Sequence, residues 1–73
     1  MRLEDVHDNI RVRVVNLGST KGWQVDKKYI EARQQGVEGL VIGRAAGHGG
    51  EVFWVSHGGG DIAAYSSDEL EPA

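Results

Sequence analysis

The segment EVFWVSH, residues 51–57, decides the fold, because it combines β-branched and aromatic residues that favour a strand. Side chains alternate along a strand, so Phe53 and Val55 should point to one face and Val52 and Trp54 to the other. Both faces are therefore apolar, although a small antiparallel sheet usually turns one polar face to water. We expect a strand whose second face is covered by another part of the molecule or by a partner.

Three further stretches rich in β-branched or aromatic residues predict strands: IRVRVVNL at 10–17, VEGLVIGRA at 37–45 and DIAAYS at 61–66. Glycine accounts for 11 of the 73 residues and clusters between these stretches, where it permits tight turns. SSDEL predicts one helical turn capped by Ser66 or Ser67, and the proline that follows suits an edge or an end.

The segment from Gly18 to Gly36 interrupts this rhythm and predicts a long first loop. Within it, DKKYIEARQQG has Asp26 as a candidate N-cap, good helix formers through Gln35 and a glycine placed to end the helix. Because so short a helix is marginal by itself, it should pack against the sheet, with Trp23 as a possible anchor of the loop.

Together these elements predict a mainly β fold, a small SH3-like five-stranded barrel with a long first loop carrying a short helix. Residues 1–73 would form a single SH3-like barrel domain, with residues 1–9 as an N-terminal lead-in and residues 18–36 as the long loop. Closing the sheet would remove the edges that an open sheet of this size exposes.

Composition narrows the class of protein. The chain has no cysteine, which excludes disulfides and thiolate metal sites and is compatible with a cytoplasmic protein. The charged N-terminus lacks the apolar core of a signal peptide. No apolar stretch is long enough to span a bilayer, so no membrane partner is expected.

Charge is unevenly distributed around a net value of −3. Residues 11–33 carry six basic and two acidic side chains, whereas residues 34–73 carry one basic and six acidic ones. Nucleic-acid binding usually requires a dominant basic excess, so the acidic total makes nucleic acid an unlikely partner.

The histidines and one polar loop are the residues that could form a metal site or a phosphate site. His48 and His57 flank the central strand, too far apart in an extended chain to bind one metal ion, so we expect turn histidines and no metal site. LGSTKG, residues 17–22, has glycines, hydroxyls and a lysine, but not in the order of a phosphate-binding loop. No catalytic residue and no cofactor are predicted.

From GLVIGR at 39–44 to DELEP at 68–72, the chain resembles the plasmid-borne type II dihydrofolate reductases, small barrels that work as homotetramers around a central pore. The resemblance covers residues 37–71 and implies an SH3-like fold and self-association. That family carries a Val-Gln-Ile-Tyr motif on its pore-lining strand, where this chain has IAAY at 62–65. Ala63 stands in place of the glutamine that meets the ligands, so the resemblance does not extend to the reductase reaction.

Three covers remain open for the second apolar face: the long loop, a second subunit, or a peptide or small ligand. We predict a non-enzymatic SH3-like interaction module that self-associates as a homo-oligomer. The alternative is an oligomeric small-molecule binder or a type II dihydrofolate reductase-like enzyme with its site in an inter-subunit pore. The candidate binding and interface residues, chosen for the apolar faces and for the aromatics that favour interface centres, are Val52, Trp54, Ala63, Tyr65 and Trp23.

Overall fold

The computed structural model describes all residues from Met1 to Ala73 and is mainly β. Its five strands are β1 (Arg11–Val14), β2 (Glu38–Arg44), β3 (Val52–Ser56), β4 (Ile62–Ser66) and β5 (Leu70–Pro72). One α-helix, α1 (Lys27–Glu31), lies between β1 and β2, and short 3-10 helices at Leu3–Asp5 and Ser67–Glu69 precede β1 and β5. None of these helices has the length and apolar character needed to cross a membrane.

All neighbouring strands are antiparallel and form one sheet in the order β4-β3-β2-β1-β5. The first four strands follow one another as a meander, and the 3-10 helix at Ser67–Glu69 then leads the chain to β5 beside β1. β4 and β5 do not pair with each other, so the sheet is open and has two edges. Helix α1 packs against β4 at one edge, and β5 at the other edge is short and ends in Pro72, features that limit pairing with another sheet.

Helix α1 is shorter than the sequence predicted. Residues 26–35 favour a helix, but α1 ends at Glu31. Asp26 is the N-cap residue, but its side chain makes no capping hydrogen bond. Beyond the helix, the Gln34 N–H donates to the Tyr65 hydroxyl at 3.0 Å instead of to a helical carbonyl. Tertiary contacts therefore end the helix before Gly36, which has a positive φ, is reached.

The main core lies on one face of the sheet and continues under the N-terminal lead-in, where Met1 and Leu3 pack against it. It contains nine buried residues: Val6, Val12, Val14, Val41, Phe53, Val55, Ala63, Tyr65 and Leu70. Phe53 and Val55 belong to this core, whereas Val52 belongs to a separate cluster, with Trp54 packed against it. The alternation predicted for β3 is therefore confirmed.

The second cluster shows what covers the other face of the sheet. Its buried members are Ala45, Val52 and Ala64, and the partly buried side chains packed against it are Trp23, Val25, Tyr29 and Trp54. Three of these four come from residues 15–37 between β1 and β2, which we call the first connection. The first connection thus covers part of the second apolar face within one chain.

Gly39 in β2 is a point of close approach between β2 and the end of β3. A Cβ atom at this position would lie 2.6 Å from Val55 Cγ1, 2.7 Å from the Ser56 carbonyl oxygen and 2.9 Å from His57 Nδ1. Gly43 in the same strand has room, because its Cβ would meet only Trp54 Cδ1, at 3.7 Å. The two glycines therefore differ in how much space their neighbours leave.

We expect Gly39→Ala to lower the free energy of unfolding by about 2 kcal/mol or more, because the added methyl forces the β2–β3 backbones apart. Gly43→Ala, the matched control in the same strand, should change it by less than about 1 kcal/mol. Urea unfolding of the two variants measures the difference. Equal effects at the two positions would contradict this account of the β2–β3 contact.

Candidate functional site

The five side chains predicted to form an interface occupy different environments. Val52, Ala63 and Tyr65 are buried within the single chain, so their side chains are not available to a partner while the chain keeps this structure. Trp54 and Trp23 are half-buried and retain some accessible surface. For these two tryptophans the interface role stays a prediction.

Apolar side chains also remain on the part of the second face that the first connection leaves uncovered. We call this set the outer strip; its members are Leu40, Ile42, Trp54 and Ile62. Ile42 is 44% exposed, one of the two most exposed large hydrophobic residues of the chain, and the other three are half-buried. Because Val41, Val55 and Ala63 point into the main core, their neighbours in the strands point to this opposite face.

The exposure of Ile42 follows from an irregularity in β2. Val41 pairs with Val55, but the next pair joins Gly43 to Trp54, so Ile42 is an extra residue in β2. A β-bulge of this kind places two residues of one strand opposite one residue of its partner. Ile42 therefore lies beside Trp54 on the outer face.

Charged residues flank the outer strip at its two ends. Arg11, Leu40, Ser56 and Ile62 are successive cross-strand partners and form one row across four strands. Exposed Arg11 is at the β1 end of this row, and exposed Asp61 directly precedes Ile62 at the β4 end. The row itself contains two apolar side chains, Leu40 and Ile62, with the polar Ser56 between them. It has a basic residue at its β1 end and an acidic residue in the turn beside its β4 end.

A shallow cavity of about 290 Å³ borders the outer strip at Trp54. We call it the aromatic groove; its lining residues are Gln24, Val25, Asp26, Tyr29, Ala45, Ala46 and Trp54. Two of the lining rings, those of Tyr29 and Trp54, have centroids 4.8 Å apart and planes inclined at 60°. One wall belongs to the first connection and the other to the turn after β2.

His48 connects the two walls of the aromatic groove. Its Nε2 accepts a hydrogen bond from the Gln24 backbone N–H at 2.9 Å, and its Nδ1 lies 2.7 Å from the Ala46 carbonyl oxygen. Because a carbonyl only accepts, these partners together define a neutral ring with its proton on Nδ1. His48 is therefore a cross-link between the first connection and the β2–β3 turn.

Arg33 and Glu69 form a buried ion pair beneath the first connection. Their side chains are only 5% and 4% exposed, and Arg33 Nη2 donates to Glu69 Oε2. The guanidinium carbon of Arg33 lies 4.8 Å from the ring centroid of Trp23 and 5.5 Å from that of Tyr65. Arg33 Nε is buried without a hydrogen bond, so contact with the two rings is what stabilises that part of the cation.

Glu69 also accepts hydrogen bonds from the backbone. Its Oε1 accepts from the Ser66 N–H at 2.9 Å, which completes a capping box on the 3-10 helix, and its Oε2 accepts from the Gly18 N–H. One carboxylate therefore joins the beginning of the first connection, its end at Arg33, and the segment before β5. This bonding compensates for the cost of burying the charge.

Tyr65 links the end of the first connection to the β3–β4 hairpin. Its hydroxyl accepts from the Gln34 N–H and lies 2.7 Å from His57 Nε2, while His57 Nδ1 lies 2.8 Å from the Glu38 carbonyl oxygen. With the proton on Nδ1, His57 accepts from Tyr65 and donates to Glu38. Each polar atom in this series of hydrogen bonds therefore has a partner. Burial raises the pKa of the Tyr65 hydroxyl above its ordinary value of 10.0.

Sequence patterns did not identify all of these residues. Ser66 and Glu69 fit the spacing of a capping box, so the sequence contained a signal for Glu69 as a helix-terminus residue. For Arg33 no pattern in the sequence indicates burial. The two flanking histidines lie outside the strands, His57 directly after β3, and both have hydrogen-bond partners.

No three histidine or carboxylate side chains of the chain come together in a way that could hold a metal ion. Comparisons of the chain with protein-family models, with curated proteins and with solved structures find no match. A proposal about function therefore depends on the outer strip, the aromatic groove and the charges around them.

We expect Glu69→Gln to lower the free energy of unfolding by about 3 kcal/mol, because the substitution leaves the Arg33 guanidinium buried without a counter-charge. The control is Glu38→Gln, which removes an ion pair with Arg13 in which both side chains are nearly half exposed. That variant should unfold almost as wild type does, since exposed ion pairs contribute little. Similar losses in the two variants, measured by urea unfolding, would contradict a special role for Glu69.

Tyr65 should make the free energy of unfolding fall at alkaline pH. Above about pH 10 the tyrosine of an unfolded chain loses its proton, whereas folded Tyr65 keeps its proton to higher pH. The unfolded state then binds fewer protons, so the contribution of Tyr65 is complete below about pH 10 and is lost as pH rises through its raised pKa.

The stability difference between wild type and Tyr65→Phe should therefore shrink as pH is raised from about 8 to about 11 in urea unfolding experiments. Tyr29→Phe serves as the comparison, because Tyr29 is half-buried and is not one of the two rings that Arg33 contacts. Its stability difference from wild type should not shrink in the same way. A Tyr65→Phe difference that stays constant with pH would contradict the coupling of Tyr65 ionisation to folding.

Proposed function

We propose that this chain is a non-enzymatic SH3-like interaction module that self-associates through the outer strip. The observation that carries the proposal is the outer strip of apolar side chains on one sheet face, with Arg11 at its β1 end and Asp61 in the turn directly before Ile62 at its β4 end. Ile42 in particular is the extra residue of a bulge in β2 and is 44% exposed on this face.

The SH3-like part of the proposal is supported by the order of the elements. A four-strand meander is followed by a 3-10 helix and a last strand that returns beside β1, and the longest connection is the first one. In a small barrel of this kind, strong twist brings the two edge strands towards each other. The alternation of core residues along β3 and β4 agrees with such a curved sheet.

A second copy of this chain is the occupant that the charges of the outer face favour. In an isologous dimer the same patch meets itself, so the patch must be self-complementary. Rotation by a half turn about an axis parallel to the strands exchanges the two ends of the row. Arg11 of one copy then lies at the β4 end of the other, beside the turn that carries Asp61, while the outer strips of the two copies meet between these ends.

The size of the outer face is sufficient for such a contact. A standard interface buries about 800 Å² per partner, which is roughly a fifth of the 4379 Å² that this chain exposes. The molecule measures 27 × 27 × 19 Å, so one broad face offers an area of this order. The outer strip would form the apolar centre and the charged ends would form the rim.

We expect wild-type protein to form a dimer in sizing chromatography with light scattering, and Ile42→Ser to weaken it about a hundredfold. Each dimer would lose two buried isoleucine side chains, at about 1.4 kcal/mol or more each. Leu17→Ser is the matched control, since Leu17 is 42% exposed but lies outside the outer strip. A monomeric wild type, or equal effects of the two variants, would overturn the proposal.

Charge exchange tests the orientation of the two copies. Arg11→Glu should weaken the dimer because two acidic groups would face each other, and the double variant Arg11→Glu, Asp61→Arg should restore it. Failure of the second substitution to restore the dimer would contradict the two-fold arrangement, even if Ile42→Ser behaves as expected.

A further inference from the structure

His48 is bound in a way that only its neutral form satisfies. The Gln24 N–H points at Nε2 and the Ala46 carbonyl oxygen lies at Nδ1, so one ring nitrogen accepts and the other donates. Protonation of His48 would add a second N–H at Nε2, directly opposite the N–H of Gln24. Two donors cannot share a hydrogen bond, so the contact would break.

The turn that carries His48 has the freedom to let the ring move away. Gly47 and Gly49 on either side have positive φ values of 80° and 63°, a region that glycine enters readily. Gln24 is exposed, so its N–H can bond to water once His48 has left. Opening this contact therefore leaves no buried backbone donor without a partner.

The contact with Gln24 joins the two walls of the aromatic groove. Val25 and Tyr29 follow Gln24 in the first connection and pack against Ala64 and its neighbours in the second cluster. Trp54 belongs both to this covered region and to the outer strip. Displacement of the wall would thus expose apolar surface that is continuous with the outer strip.

We propose that His48 is a pH-dependent latch: its protonation releases the first connection at Gln24 and enlarges the apolar face that is available to a second copy. Histidine is the side chain whose charge ordinarily changes between about pH 5 and pH 8, so the latch is tested across this range. The release itself depends only on the geometry at His48. The effect on self-association rests on the proposed function.

Other ionisable groups lie on the segments that His48 joins. The nearest along the chain are Lys21, Asp26 and Lys27 around Gln24, Arg44 at the end of β2, and Glu51 in the turn, whose N–H donates to the His48 carbonyl oxygen at 3.1 Å. His57 is the second histidine that touches the first connection, through the Tyr65 hydroxyl and Gln34. The experiment must therefore separate His48 from these groups.

Amide hydrogen exchange of the full chain at about pH 7.5 and about pH 5.5, corrected for the intrinsic pH dependence of exchange, measures the latch directly. Protection of the Gln24 amide should fall about tenfold at the lower pH, the factor expected for one hydrogen bond of ordinary strength. His48→Gln keeps an acceptor without a titrating ring and should abolish this fall. His57→Gln, the control for the other histidine, should leave it in place.

Light scattering at the same two pH values tests the consequence for association. A dimer that strengthens on acidification in wild type but not in His48→Gln supports the complete proposal. The latch is overturned, whatever the state of association, if protection of the Gln24 amide in wild type does not depend on pH. It is also overturned if this protection falls equally in His48→Gln. Opening seen by exchange in a chain that stays monomeric at both pH values supports the latch and overturns the proposed self-association.

Discussion

The buried ion pair between Arg33 and Glu69 is the interaction on which the arrangement of this small protein depends. It joins the end of the first connection to the 3-10 helix before β5, and the same carboxylate binds the backbone at Gly18. Both charges are almost completely removed from water, so the pair is stable only while all of its partners are in place. The stacking of Arg33 between Trp23 and Tyr65 makes the first connection part of the folded core.

Attachment of the first connection determines which apolar surface remains exposed. Its middle part, with Val25 and Tyr29, covers part of the second sheet face. Ile42 lies outside the cluster that these side chains cover and is 44% exposed. A chain of this size thus hides most of its apolar side chains internally and retains one limited strip, which is why the proposed association uses a different surface from the predicted one.

Local patterns in the sequence predicted the strands and their faces with little error. Alternation in β3 assigned Phe53 and Val55 to one face and Val52 and Trp54 to the other, as observed. Whether Tyr65 is available to a partner depends on which segment packs over its face of the sheet. The alternation of side chains along a strand does not predict this. Its ring is covered by Arg33 and Gln34, residues that the sequence pattern left in a loop of unspecified course.

The sequence alone determined that the chain is mainly β, because the period of two, the β-branched residues and the glycine-rich turns are local properties that each segment carries by itself. The tertiary structure decided which apolar face is covered and which residues hold the cover. Arg33 and Glu69 are 36 residues apart, and His48 and Gln24 are 24 residues apart. Such pairs form only when the whole sheet has brought distant segments together, and no spacing along the chain specifies them.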